Sequence, residues 1–313
     1  MRLIDNGDLR DARLNLALEE YCLRNLDFSS DHLLFYENDP SIIIGRNQNP
    51  FQEVNATYTR KNTIQVVRRI SGGGAVYHDR GNLNFSFLTA FKRENLLNFE
   101  KFTRPIVRGL NRLGVRAKLN ERNDIVADGR KITGTAQFAT KNALVTHGTL
   151  LFDSDLSRLD EALRPDGQVV TSRARESVRS RVVNISALLS APMTMVDLKM
   201  ALMESCGETE GGMEHFALDR AAWCKVRNLA AEKYGTWEWT YGNTPQFTAI
   251  SRHSLSAGIV EIRITVKRGI IEKVDVRTDF SPSGDVAKIS GALEKMRYDP
   301  ERIRQCIVGL GFI

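Results

Sequence analysis

Three consecutive glycines, Gly72, Gly73 and Gly74, stand between two strand-like segments. Arg68 and Arg69 lie at one end of the loop, and His78 and Asp79 at the other. The run 64–67 leads in; Leu83, Phe85 and Phe87, alternating with Asn82, Asn84 and Ser86, lead out. Glycine loses more backbone freedom on folding than any other residue, so a fold keeps three of them where the chain bends sharply or approaches something closely. Successive N–H groups in such a bend can form a concave anion site. Arginine adds charge and forked donors suited to phosphate or carboxylate. The flanking strands argue against a flexible linker. The pattern is neither a Walker loop, which needs Gly-Lys-Ser/Thr, nor a dinucleotide fingerprint, which needs a helix directly after it. The loop reads as a cradle for a charged ligand, with a plain turn beside a solvated arginine pair as the alternative.

A second constellation runs from Asn123 and Asp124 through Asp128-Gly129 to Lys131 and Ala136. Asp-Gly between short apolar runs signals a hairpin, which puts Lys131 at the start of the returning strand. Thr133, Gly134, Thr135 and Ala136 are small and leave room beside the lysine. A further polar cluster, Thr146-His147-Gly148-Thr149, sits on the next strand-like run. These neighbours favour a site over a merely solvated lysine.

The chain has 313 residues, enough for two domains. Its net charge of +6 raises the question of nucleic acid. No basic helix, aromatic-interleaved basic run or zinc-finger spacing supports that reading, so anionic ligands and acidic partner proteins are expected instead. Cysteines at 22, 206, 224 and 306 form no CxxC pair, which removes zinc-ribbon and redox motifs. Their scatter fits reduced thiols in the cytoplasm. No secretory or transit signal and no apolar run of membrane-spanning length is present, so no membrane association is expected.

Asp11 is placed to cap a helix carrying Leu14, Ala17, Leu18, Tyr21 and Cys22. Segments 33–36 and 42–44 read as buried strands. A helix is expected near 98–113, with Pro105 marking a first turn or a kink and Gly114 ending it. Segments 154–163, 194–206 and 214–233 read as helical. The polar stretch 165–181 is expected to be a long, mobile loop. Trp237 and Trp239 read as core aromatics. The texture changes beyond about 248: a hairpin turning at Arg268-Gly269 is followed by a helical tail.

The blocks RRISGGGAVYHDRGNLNFSF, NDIVADGRKITGTAQ, HGTLLFDSDLSRL, ESVRSRVVNI and TWEWTYGNTPQF, with ARLNLALEEY and IIIGRNQNP, resemble the large bacterial lipoate–protein ligases in order and spacing. The resemblance covers residue 1 to about 250. It is looser over the last sixty or so residues, where the family's accessory domain looks short. It implies an α+β fold, with a catalytic domain over 1–247, built on a mixed sheet flanked by helices, and a small α+β accessory domain over 248–313. The implied reaction uses ATP and Mg²⁺ to convert lipoate to lipoyl-AMP, then transfers the lipoyl group to a lysine of a lipoyl-domain protein. The implied acceptors are 2-oxoacid dehydrogenase E2 subunits and the glycine cleavage H protein.

Residue by residue, the resemblance assigns Arg69 and Lys131 as catalytic. It puts Gly74, Ala75, Val76 and Tyr77 at the adenylate, with Asn82, Asp124 and Thr149 as further nucleotide contacts. Leu16, Leu18, Ile44 and Gly73 would line the lipoyl chain, joined by Ser71, His78 and His147. Arg175 and Ser177 are candidates to close over the adenylate. No residue is assigned to a metal. Two readings share these motifs: a lipoyltransferase that uses preformed lipoyl-AMP, and a non-catalytic lipoyl-AMP or nucleotide-binding regulator. Two others fit less well. A cysteine-dependent transferase lacks a thiol between 22 and 206, and a biotin ligase would carry a different adenylation loop.

Overall fold

The computed structural model describes residues 1–164, 169–174, 176–177, 181–208, 212–255, 258–280 and 286–309. A mixed six-stranded sheet runs in the order Thr135–Ala139, Ala143–Leu151, Asn82–Ala90, His32–Glu37, Arg2–Ile4 and Glu214–Phe216. Its first four strands are antiparallel neighbours. Arg2–Ile4 runs parallel to both of its partners. Side chains alternate between faces along each strand, so the sheet can support two cores. Leu33, Phe35, Leu83, Phe85 and Phe87 face one side, under the helices Phe99–Arg112 and Met195–Gly207. Leu34, Tyr36, Leu88 and Val145 face the other, under Ala12–Asn25 and Arg220–Leu229.

Asp11 caps the Ala12–Asn25 helix by accepting from the Arg13 N–H, and the helix buries Leu16, Ala17, Leu18, Cys22 and Leu23. Each fully buried leucine contributes about 1.5–3 kcal/mol. Pro105 lies in the interior of Phe99–Arg112, not in its first turn. Packing against Met195–Gly207 holds the helix despite the missing donor; there the Ser205 hydroxyl donates to the Pro105 carbonyl. Segment 214–233 is not one helix. Its first three residues extend the six-stranded sheet beside Arg2–Ile4, and the helix begins at Arg220 behind the Asp219 cap.

Two small sheets build the site. Gln65–Arg68, Ser41–Ile44 and Val76–His78 form one. Ala117–Leu119, Ile125–Ala127 and Arg130–Lys131 form the other, with Asp128 and Gly129 both at positive φ in the hairpin. A four-stranded antiparallel sheet comprises Val169–Ser172, Phe247–Leu255, Gly258–Lys267 and Ile270–Thr278, the last two joined at Arg268-Gly269. Val260, Ile262, Ile264 and Val266 pack on Ile289 and Leu293 of the helical tail. Within the stretch expected as a loop, 169–172 is thus an edge strand paired with Phe247–Ile250. Its polar surroundings hid a Val-Val-Thr-Ser run that a neighbouring strand completes. The pairing crosses the expected division at 247–248. No helix among the described residues is long and apolar enough to cross a membrane.

Candidate active site

Lys131 follows the Asp128-Gly129 turn, and its backbone is held on both sides. Its N–H donates to the Arg181 carbonyl, and its carbonyl accepts from the Val183 N–H. Its ammonium lies 2.9 Å from Asp124 Oδ1. A Cβ at Gly134 would stand 3.1 Å from Lys131 Nζ, so the absence of a side chain there keeps space open beside the cation. Two cavities meet at this point. One, of about 420 Å³, is walled by Tyr77, Leu151, Leu159, Leu163 and Val170. The other, of about 630 Å³, reaches Leu16, Tyr36, Ile43, His78, Asn84 and His147. Ala75, Val76, Lys131, Gly134, Thr149 and Ser177 wall both.

The glycine loop is built on close backbone approach. Gly73 has φ +95°, and a Cβ on Gly45 would stand 2.2 Å from the Gly73 carbonyl oxygen. Arg69 is almost fully buried and donates to Ser71 Oγ and to the carbonyls of Ile43, Gly72 and Gly74. Burial pulls its guanidinium down to about 10, still cationic at neutral pH. Arg69 thus braces the loop, with most of its donors turned to backbone carbonyls, and it also lines the larger cavity, where the expected nucleotide contact would be made. Arg68, also fully buried, ties the carbonyls of Gly45, Arg46 and Gln48 to Thr240. Trp239 returns its indole N–H to the Arg68 carbonyl.

Ser177 reaches into the site from the following segment. Its hydroxyl donates to Glu53 Oε2 and accepts from the Ala75 N–H, at 2.8 Å, and from Gln48 Nε2. Glu53 also accepts from the Ser177 N–H. Burial raises the Glu53 carboxyl above its usual range. The four-residue helix Pro50–Glu53 thereby fastens Ser177 to the glycine loop.

Across the larger cavity, Ser71 Oγ lies 2.7 Å from His147 Nε2, and His147 Nδ1 lies 2.8 Å from Glu19 Oε2. Ser86 donates to the same carboxylate oxygen. The order hydroxyl, imidazole, carboxylate resembles a hydrolase triad. Ser71, however, is fully buried and also accepts from Arg69 Nε, so its oxygen has no open approach to a carbonyl. The network fixes His147 and the loop.

Gly73, Gly74, Ala75, Val76, Leu16, His78, Asp124, Lys131, His147 and Thr149 line the larger cavity, and Tyr77 the smaller. Four expected contacts do not reach either cavity. Leu18 is two residues from Leu16 on a helix, and so faces the core. Ile44 points to the opposite side of its strand from Ile43, which takes the wall position. Asn82 lies one pleat beyond Asn84 and donates to its side-chain oxygen. Ser71 sits behind the loop. Ser177 lines both cavities, whereas Arg175 lies outside the described residues.

Residues 11–207 match the family described as the lipoyl protein ligase A/B catalytic domain, and 244–311 match the bacterial lipoate protein ligase C-terminus. The chain is 43% identical over 312 residues to the lipoate–protein ligase LplJ of Bacillus subtilis, covering 99% of this chain and 94% of the relative. The chain belongs to the lipoate–protein ligase family. It is also 43% identical to lipoate–protein ligase 1 of Staphylococcus aureus, over 98% of this chain and 93% of that one. A crystal structure titled lipoate–protein ligase A bound with ATP superposes with a TM-score of 0.66 at 30% identity, covering 77% of this chain and 98% of that chain. A Thermoplasma acidophilum putative lipoate protein ligase with bound lipoic acid gives 0.66 at 29%, with the same coverage.

In this lipoate–protein ligase, Tyr36, Ile43, Glu53 and Asn84 were not singled out from sequence. Asn84 and Ile43 follow from strand alternation once the register is known. Glu53 carries no signal, because its contact to Ser177 spans 124 positions. Among the described residues no cysteine lines either cavity. Cys22 and Cys206 are buried, and burial pushes the Cys206 thiol up to about 12.

Proposed function

We propose that this ligase joins lipoate to a protein lysine in two steps around Lys131. The observation that carries the proposal is the meeting of two cavities at one lysine. The smaller cavity, with Tyr77, Leu151, Leu159 and Leu163 on its walls, suits a flat base. The larger suits an acyl chain. Lipoate's carboxylate attacks the α-phosphorus of ATP, pyrophosphate leaves, and lipoyl-AMP remains. The acceptor lysine, as free amine, then attacks the acyl carbonyl; AMP leaves and the amine proton passes to solvent. Lys131 reaches the oxygens that carry charge in both steps, the α-phosphate and the acyl oxygen, and a fixed cation there lowers both barriers. Asp124 keeps the ammonium in place. The Gly74–Tyr77 segment lies along the cavities; its Ala75 N–H, held by Ser177 Oγ, would be the donor offered to phosphate, and Arg69 holds that segment in shape.

The described residues contain no group of three or more His, Cys, Asp or Glu side chains able to hold a metal. Mg²⁺ commonly binds through one or two carboxylates together with substrate phosphates. Asp124, in the cavity wall beside Lys131, fits that role and would help Mg²⁺ neutralise phosphate charge. We assign 1–247 to the chemistry and 248–313 to an accessory domain. We take a lipoyl-domain protein, a 2-oxoacid dehydrogenase E2 subunit or the glycine cleavage H protein, as acceptor, and the cytoplasm as the compartment. Mass spectrometry of an acceptor domain incubated with the protein, lipoate and ATP tests the function. A lipoyl mass gain that requires ATP is expected. Gain only from supplied lipoyl-AMP would make it a transferase, and no gain from either would leave a binding protein.

A further inference from the structure

We propose that Arg122 receives the pyrophosphate that leaves ATP, a role confined to the activation step and absent from lipoyl transfer. The inference rests on the two-step ligase reading above.

In activation, a bond forms from a lipoate carboxylate oxygen to the α-phosphorus as the bond from that phosphorus to the α–β bridging oxygen breaks. The bonding pair stays on the bridging oxygen, so negative charge grows on the departing pyrophosphate. Among the described residues, three arginine or lysine side chains wall the two cavities: Arg69, Lys131 and Arg122. Arg69 turns its donors to Ser71 and to the carbonyls of Ile43, Gly72 and Gly74. Lys131 pairs with Asp124 and sits where the α-phosphate and the acyl oxygen meet. Arg122 is differently placed. It is exposed, and its backbone N–H donates to Asn120 Oδ1, but among the described residues its guanidinium has no hydrogen bond or ion pair. A guanidinium offers five donors in a fork that matches phosphate oxygens.

The turn that carries Arg122 is well fixed. It joins the strands Ala117–Leu119 and Ile125–Ala127. Asn120 Oδ1 accepts from the N–H groups of Arg122 and Asp124, both at 2.9 Å, and the Asn120 N–H donates to the Asp124 carbonyl. Asn123 takes φ +63°, a region asparagine tolerates. Its carbonyl accepts from the Thr135 hydroxyl at 2.6 Å, which fastens the turn to the cavity wall. Two residues beyond Arg122, Asp124 holds the Lys131 ammonium. Two residues span about 7 Å of chain at most, so the turn sets Arg122 beside Lys131 at a spacing suited to the phosphates that follow the α-phosphate. The direction fits as well. Leu16, Ile43 and His78 form the buried end of the larger cavity, whereas Arg122 lies on its exposed rim. An acyl chain in the buried end brings its carboxylate to Lys131 from inside. In-line displacement then sends pyrophosphate out on the opposite side, toward the rim. Once pyrophosphate has left, lipoyl-AMP has no group for Arg122 to hold.

The test measures the two half-reactions separately in the wild-type protein, Arg122→Ala and Arg122→Lys. Pyrophosphate release from ATP and lipoate should slow by about 10- to 100-fold in Arg122→Ala, the weight of charge-assisted hydrogen bonds. Arg122→Lys keeps the charge and loses the fork, so it should slow less. Added pyrophosphate should inhibit Arg122→Ala about tenfold more weakly than the wild type. Transfer from supplied lipoyl-AMP to an acceptor domain should stay within about twofold of wild type in both variants. The side chain is exposed and the turn is held by Asn120, so both variants should fold. Unchanged pyrophosphate release in Arg122→Ala would overturn the proposal. Equal losses in the two half-reactions would also overturn it, because a disturbed turn or a displaced Lys131 slows both. No lipoate-dependent pyrophosphate release from the wild type would instead sink the ATP-activation reading itself.

Discussion

Lys131 and Asp124 form an ion pair with 2.9 Å between Nζ and Oδ1, on the wall of the larger cavity. Asp124 immediately precedes Ile125–Ala127, the strand that pairs with Arg130–Lys131 in a small hairpin sheet whose backbone is tied to 181–183. The cation is thus held from two directions where the two cavities meet. Preorganised charge of this kind needs little rearrangement as charge develops on phosphate or acyl oxygen.

Replacing Lys131 by alanine should cost about 10²–10³ in rate in each half-reaction. Pyrophosphate release measures the first, and transfer from supplied lipoyl-AMP measures the second. Asp124→Asn keeps the ammonium and loosens its position, so its loss should be smaller. A folded Lys131→Ala with near wild-type rates in both assays would remove Lys131 from the centre of the mechanism.

Glu53→Ala should release Ser177 and, through it, the Ala75 N–H. Amide exchange at Ala75 should speed up about fivefold or more, the loss of about 1 kcal/mol of local hydrogen bonding. A stable lipoyl-AMP analogue should restore protection in both the glycine loop and the 176–177 segment, because phosphate offers the same N–H a new acceptor. Unchanged exchange at Ala75 in the variant would show that Ser177 does not hold the loop.

No acyl-enzyme should form. Cys22 and Cys206 are buried with raised thiol pKa values, and no described cysteine reaches the cavities. A folded variant with all four cysteines replaced by alanine or serine should ligate at nearly the wild-type rate. Trapping a thioester by mass spectrometry during turnover would contradict the two-step scheme.

Stability should fall as pH drops below about 6.5, the ordinary histidine value, through the burial of His78. Its pKa is lowered to about 3 in the folded protein. In this window the unfolded chain takes up a proton that the folded one does not. The contribution of neutral His78 is therefore complete above the unfolded value and is lost toward acid, by about 1.4 kcal/mol per pH unit. Urea midpoints at pH 7 and pH 5 should show the wild type losing about 2 kcal/mol relative to His78→Gln. Parallel losses in the two proteins would mean that His78 is not the buried neutral base described.

Much of this site could be read from local sequence. The glycine run, the Asp-Gly hairpin before Lys131 and the Asp11 cap each write their conformation over a few neighbouring residues. What could not be read depends on partners far away in the chain. The choice of Ile43 over Ile44 follows from which face of the Ser41–Ile44 strand meets the cavity. The strand at 169–172 exists because Phe247–Ile250 lies beside it. Sequence does not show that the Ile43, Gly72 and Gly74 carbonyls fold around the guanidinium of Arg69, which also lines the larger cavity.

One lysine is assigned here to both an ATP-consuming activation and a transfer. Pyrophosphate release on mixing the protein with ATP and lipoate, with no acceptor present, is the decisive measurement. A burst of about one pyrophosphate per site is expected, with retained lipoyl-AMP and resumed turnover when an acceptor domain is added, and with the burst lost in Lys131→Ala. No lipoate-dependent pyrophosphate release from the wild-type protein, under conditions where supplied lipoyl-AMP is still transferred, would contradict it.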